Sequence, residues 1–132
     1  MSQDHVDAFK RGLEAGNRRD VDGLLEVLDT DIAWHSALHA LFGGEKTVYR
    51  GHDGVREMIG DLYEAFDDFR IEISEVRDRG DRIVAIGQAR ARGGTSGADV
   101  EMPIAFVTEF KEGKAISVRA YLDPDEAVEA AG

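Results

Sequence analysis

The stretch that most constrains the fold is the long run from Val100 to Asp123, VEMPIAFVTEFKEGKAISVRAYLD. It predicts two apolar strands joined by a tight turn at Lys111–Lys114. Because side chains alternate along a strand, Met102, Ile104 and Phe106 lie on one face and Ala105 and Val107 on the other. Both faces are apolar, so helices should cover one side and a second layer the other. A second copy of the chain could supply that layer, which predicts a homodimer through the outer face of the sheet.

Helical patterns come before most of the strand patterns. Apolar residues at a period near 3.6 predict helices over Asp4–Leu28, with a break at 15–20 and Asp20 capping the second part. A further helix is expected over Gly54–Phe66 with Asp53 as its N-cap, and a last helical turn over Ala127–Ala131. The predicted strands are Ile32–Ser36, Thr47–Arg50, Phe69–Arg77, Arg82–Arg92, Ala98–Phe110 and Ala115–Leu122. Runs of helix and then of strand are typical of an α+β domain, and a single domain over residues 1–132 is expected.

Composition excludes several classes of function. The chain has 132 residues and no cysteine, so disulfides, thiolate metal sites and a cysteine nucleophile are ruled out. A net charge of −11 argues against nucleic-acid and anionic-membrane partners. The N-terminus is polar and no stretch approaches the length of a membrane span, so a soluble, cytoplasmic protein is expected.

Three segments carry a resemblance to a known family: AGNRRDVDGLLEVLDTDIAWH, YRGHDGVREMI and FKEGKAISVRAYLD. They resemble the SnoaL-like polyketide cyclases and ketosteroid-isomerase-like proteins of the nuclear-transport-factor-2-like superfamily. The resemblance covers nearly the whole chain. It implies a cone-shaped, curved antiparallel sheet wrapped around the N-terminal helices, with a pocket at the open end. The superfamily contains both enzymes and non-catalytic binders, so the fold alone does not choose between them.

The resemblance places His35 where the steroid isomerases carry a carboxylate base, and a neutral imidazole can also accept a proton. The positions of the isomerases' oxyanion-stabilising tyrosine and aspartic acid hold Gly12 and Phe106, and that of the epoxide hydrolases' aspartate holds Ala120. These substitutions argue against both standard mechanisms. Asp123 is either an N-cap, with Pro124 after it, or a catalytic acid, and the cap is the favoured interpretation.

Two functions remain open. One is cofactor-free proton transfer, an isomerisation or cyclisation, on an apolar carbonyl-bearing substrate with His35 as base. The other is a non-catalytic ligand-binding or dimerisation module. His35 could equally be structural, and the pair His35 and His39 lacks a third metal ligand, so no metal and no cofactor are expected.

The pocket should bind a small apolar ligand. Trp34 and His35 are neighbours on a strand, so a regular strand turns only one of them inward. A polar cluster around His35 would favour the enzyme, whereas a dry apolar pocket would favour the binder. The residues predicted to contact the ligand are Trp34, His39, Tyr49, Met58, Tyr63, Met102, Phe106 and Leu122.

Overall fold

The structure is a computed structural model that describes residues 2–36, 48–93 and 98–131. Helices and strands follow the order predicted from the sequence. The helices are α1 (Ser2–Asn17), α2 (Val21–Glu26), α3 (Gly51–Ala65) and α4 (Pro124–Ala131). The strands are β1 (Leu28–His35), β2 (Val48–Arg50), β3 (Asp68–Asp78), β4 (Arg82–Gly93), β5 (Ala98–Lys111) and β6 (Lys114–Tyr121).

The strands form one curved, unclosed sheet in the order β2-β1-β6-β5-β4-β3. The predicted α+β class is confirmed. The β1–β6 pair is parallel, with His35 opposite Arg119, and every other pair is antiparallel. The sheet is therefore mixed at this one junction, where a purely antiparallel sheet was predicted. Helices α1, α2 and α3 pack against the concave face and build the main core there.

Local signals account for two of the three predicted helix caps. The Asp20 carboxylate accepts a hydrogen bond from the Gly23 N–H at 3.0 Å, as expected for the start of α2. The Asp123 carboxylate accepts from the Asp125 N–H at 2.9 Å, and Pro124 is the first residue of α4. The prediction for Asp53 is wrong, because α3 begins at Gly51 and places Asp53 in its first turn.

A β-bulge bends the sheet between β3 and β4. Ile73 lies opposite Gly87, and Glu75 lies opposite Ile86, so Ser74 is the extra residue on β3. The Ser74 hydroxyl donates to the Ile86 carbonyl at 3.2 Å. A Cβ atom at Gly87 would lie 1.9 Å from the Glu72 carbonyl oxygen, so only glycine fits at this close approach.

The outer face of the sheet is partly covered by α4. Ala127 and Ala131 of this helix form a second, smaller core with Val84, Ala105 and Val107. At these strands, the layer that the sequence analysis assigned to a second copy of the chain is therefore a segment of the same chain. Within the described ranges, no helix is both long and apolar enough to cross a membrane.

Candidate functional site

A cavity of about 120 Å³ lies between the concave face of the sheet and helices α1, α2 and α3. Its wall is almost entirely apolar. The helices contribute mainly Phe9, Leu13, Leu24, Met58, Leu62 and Tyr63, and the strands contribute Trp34, Phe69, Ile71, Phe106, Thr108, Phe110 and Val118. The elements that form the main core thus leave a space at its centre, and core and cavity wall are continuous.

Three aromatic rings form one side of the cavity. The Phe106 ring centroid lies 6.4 Å from that of Trp34 in an edge-on arrangement, and 6.5 Å from that of Phe9. Such contacts hold the rings in defined orientations. A flat apolar molecule in the cavity would therefore meet ring faces and edges that are already positioned.

Two of the polar side chains in the wall are occupied by bonds within the protein. The Asn17 amide donates to the Ile71 carbonyl at 2.9 Å and accepts from the Ile71 N–H at 3.0 Å, which ties the end of α1 to β3. The Tyr63 hydroxyl donates to the Gly16 carbonyl at 3.3 Å, and the Arg19 guanidinium lies 4.1 Å from the Tyr63 ring centroid. These side chains join the helices to each other and to the sheet.

The third polar side chain in the wall is Thr108 on β5. It is only 2% exposed, and its Oγ1 has no hydrogen-bond partner in the described part of the chain. Its neighbours across the sheet are Ile83 and Val118, both buried and apolar. Thr108 was not predicted from the sequence to contact a ligand. The available signal was that Thr108 interrupts the alternating apolar series Met102, Ile104, Phe106 and Phe110.

His35 lies on the opposite face of β1 from the cavity. Trp34 lines the cavity, and strand alternation turns the imidazole of His35 away, toward the side of Arg119. Partial burial lowers the pKa of His35 below its ordinary value of 6.5, and the positive charges of Arg119 and Arg50 lower it further. The lowered pKa favours the neutral form of the imidazole, but the side chain does not reach the cavity. His35 is therefore not among the residues that line this cavity, and its role as a base stays a prediction.

The structure brings together half of the residues predicted to contact a ligand. Trp34, Met58, Tyr63 and Phe106 line the cavity. Met102 and Leu122 pack against the main core outside the cavity wall, which corrects their assignment to this pocket. His39 lies outside the described residues.

Tyr49 is also displaced from the pocket. Its side chain is buried in the core, and its hydroxyl donates to an Asp61 carboxylate oxygen at 3.1 Å. Burial and this bond to Asp61 both raise the pKa of Tyr49. The ring acts as a link between β2 and α3 instead of as part of the cavity wall.

Helices α1 and α2 supply much of the wall that was not predicted from the sequence. Their inward residues include Ala8, Phe9, Gly12, Leu13 and Leu24. The 3.6-residue periodicity identified Phe9, Leu13 and Leu24 as apolar helix positions, but periodicity alone does not distinguish a packed core from a cavity wall. In the described ranges, no three His, Asp or Glu side chains are grouped to hold a metal ion.

Comparisons with known proteins agree with this fold. The family model described as "SnoaL-like domain" matches residues 9–118. An NTF2-like protein of unknown function from Burkholderia pseudomallei K96243 superposes with a TM-score of 0.81 at 25% identity, covering 96% of this chain and 95% of that one. No curated protein sequence matches the chain.

Two further solved structures share the fold at lower identity. TerC, co-crystallised with polyporic acid, has a TM-score of 0.81 at 20% identity, covering 96% of each chain. A protein named as a candidate polyketide cyclase from Sinorhizobium meliloti has a TM-score of 0.72 at 16% identity, covering 92% of this chain and 99% of that one. At these identities the likeness concerns the fold alone.

Proposed function

The chain belongs to the SnoaL-like domain family, and from that premise we propose that it is a non-catalytic binding protein for a small, neutral, single-ring organic molecule. One observation carries the proposal: none of the described residues that line the cavity is a histidine, an acid or a cation. An apolar cavity of this kind gains free energy by removing an apolar ligand from water. It would penalise a charged ligand, which would lose its hydration without gaining a counter-ion.

Proton transfer is less well supported than binding. A general base must come within hydrogen-bond reach of the substrate, directly or through one water. Tyr63 lines the cavity, but its hydroxyl already donates to the Gly16 carbonyl. A reaction that used His35 would need the substrate on the other side of β1. The binding proposal therefore predicts that His35→Gln leaves ligand affinity unchanged.

The volume of the cavity indicates the size of the ligand. An engineered apolar cavity of about 150 Å³ binds benzene, and such cavities otherwise stay dry. The cavity here is about 120 Å³. A single ring with at most one small substituent therefore matches it, with modest movement of the surrounding side chains. The co-crystallisation of TerC with polyporic acid supports the use of this fold for organic small molecules.

A fluorescence titration tests the proposal. Trp34 is the only tryptophan in the sequence and lines the cavity, so its emission should respond to toluene with saturable binding. Ala8→Leu on α1 would fill part of the cavity and should weaken toluene binding at least tenfold. The matched control Ala130→Leu, at an exposed helical position on α4, should bind toluene as the unmodified protein does. Equal binding by both variants would refute a ligand site in this cavity.

The assembly and location of the protein stay predictions. A homodimer through the outer sheet face would use the area around β1 and β2 that α4 leaves uncovered, because α4 packs on β4, β5 and β6. A cytoplasmic location is the expectation from the sequence. Neither is needed for the binding proposal, since the described cavity wall comes from one chain.

A further inference from the structure

We propose that the Thr108 hydroxyl is the polar anchor of the cavity and selects ring molecules that carry one neutral oxygen, such as a phenol or a cyclic ketone. This inference rests on the proposed function, because it assumes that a ligand occupies the cavity. It adds the chemical class of that ligand and the residue that recognises it.

The position of Thr108 in the fold supports this role. β5 is an interior strand, hydrogen-bonded to β4 on one side and β6 on the other, and Thr108 is a buried part of the cavity wall with 2% of its surface exposed. Phe106 and Phe110 flank it on the same strand, and both also line the cavity. The hydroxyl is thus a polar group on an apolar part of the wall.

Thr108 differs from the other polar side chains of the wall in its hydrogen bonds. Asn17 and Tyr63 both use their polar atoms for backbone groups of the protein. Thr108 Oγ1 is the buried side-chain oxygen or nitrogen that the described residues leave without a partner. Asn17 and Tyr63 can each form a further bond, but Thr108 Oγ1 is the buried side-chain atom with no bond at all in the described part of the chain, so its whole hydrogen-bonding capacity remains for a ligand.

Without a ligand, a buried hydroxyl at position 108 makes the folded protein less stable. A buried hydroxyl that lacks a partner loses its bond to water, whereas valine has nearly the same shape and no such loss. A ligand oxygen within about 2.8 Å of Oγ1 would restore the missing bond. Because a hydroxyl both donates and accepts, it can serve a carbonyl or a phenolic oxygen. The absence of cations from the described wall excludes a carboxylate as the preferred group.

Phenol and toluene provide a matched test, because they differ only by a hydroxyl in place of a methyl group. Both are titrated calorimetrically into the unmodified protein and into Thr108→Val. The loss of one buried hydrogen bond should weaken phenol binding about tenfold, while toluene binding stays equal or tightens. Thr108→Ser keeps the hydroxyl and should retain phenol binding. If the valine variant fails to fold, Thr108→Ala removes the hydroxyl without adding a methyl group and gives the same comparison.

Each outcome separates the two proposals. A phenol-to-toluene affinity ratio that is the same in the unmodified protein and Thr108→Val would overturn the role of Thr108, while saturable toluene binding would still support an apolar ligand site. Failure of the unmodified protein to bind either molecule would overturn the proposed function, and the inference about Thr108 with it.

Discussion

At the scale of single residues, Thr108 and His35 are two side chains in unfavourable surroundings. Thr108 has a hydroxyl where the neighbouring strand positions are apolar, and His35 has a neutral ring beside two arginines. Both arrangements have consequences for stability that can be measured without knowing the ligand.

Replacing Thr108 with valine should stabilise the ligand-free protein. The change removes an unpartnered buried hydroxyl and keeps the side-chain volume, so the free energy of unfolding should rise by about 1 to 2 kcal/mol. Urea denaturation followed by circular dichroism measures this difference. Thr108→Ser serves as the control: it keeps the hydroxyl and loses a methyl group, so it should be less stable than the unmodified protein by about 1 kcal/mol. A destabilised valine variant would mean that the hydroxyl has a partner in the folded protein.

His35 should make the protein less stable as the pH falls. Its pKa is lower in the folded protein than the ordinary value of 6.5, so the unfolded chain binds the proton more readily. Stability should therefore fall as the pH drops from about 7 through 6.5 toward the lowered pKa, and this loss should be absent in His35→Gln. The measurement is the difference in unfolding free energy between the two proteins at pH 5 and pH 7.5. Other titrating groups cancel in that difference, so parallel curves would contradict the placement of His35 beside Arg119 and Arg50.

At the scale of elements, the bulge between β3 and β4 gives the sheet a bend next to the cavity. Ile71 of β3 lines the cavity two residues before the bulge begins at Ile73. The missing side chain of Gly87 lets the two strands approach closely at this bend, next to the Glu72 carbonyl.

Gly87→Ala should therefore be strongly destabilising. The added methyl group would collide with the backbone of β3, and relief requires strand movement, so a loss of about 3 kcal/mol is expected. Gly60→Ala is the matched control. Its Cβ meets nothing within 4 Å on the exposed side of α3, so alanine should stabilise the protein by up to about 1 kcal/mol. Similar effects of the two substitutions on urea midpoints would refute the tight contact at Gly87.

The helices and strands could be predicted where neighbouring residues carry the pattern, and could not where the structure depends on residues far apart in the sequence. Alternation and 3.6-residue periodicity identified the strands and helices, and the side-chain caps at Asp20 and Asp123 were readable from adjacent residues. The start of α3 was misplaced, because its N-cap residue Arg50 makes no side-chain cap bond and so leaves no signal. The parallel β1–β6 pair joins segments about 80 residues apart, and no local pattern encodes it.

The candidate site was harder to predict than the elements. Alternation showed that Trp34 and His35 face opposite ways, but the direction of the cavity depends on which face α1 and α2 cover. Tyr49 is a residue type that often contacts ligands, because its ring is apolar and its hydroxyl can donate a hydrogen bond. In the structure that hydroxyl donates to Asp61 instead, and the ring lies in the core. A family resemblance could assign the position of His35 but not the orientation of its side chain.

At the scale of the whole molecule, we expect the chain to associate with a second copy through the outer sheet face. With α4 covering β4, β5 and β6, the predicted dimer must use the area around Ala33, His35 and Val48. Sedimentation equilibrium should then show twice the chain mass of 14.5 kDa, and Ala33→Glu should reduce it to one chain by placing a charge in the interface. A single-chain mass for the unmodified protein at high concentration would refute the dimer.

The proposed function requires that a small neutral ring molecule occupies the cavity between the helices and the sheet. Nuclear Overhauser effects between unlabelled toluene and isotope-labelled protein would show which residues the molecule contacts. We expect cross-peaks from toluene to the Trp34 indole, the Phe106 ring and the methyl groups of Leu62 and Val118, all of which line the cavity. Cross-peaks confined to surface residues such as Val100, or none at saturating toluene, would contradict it.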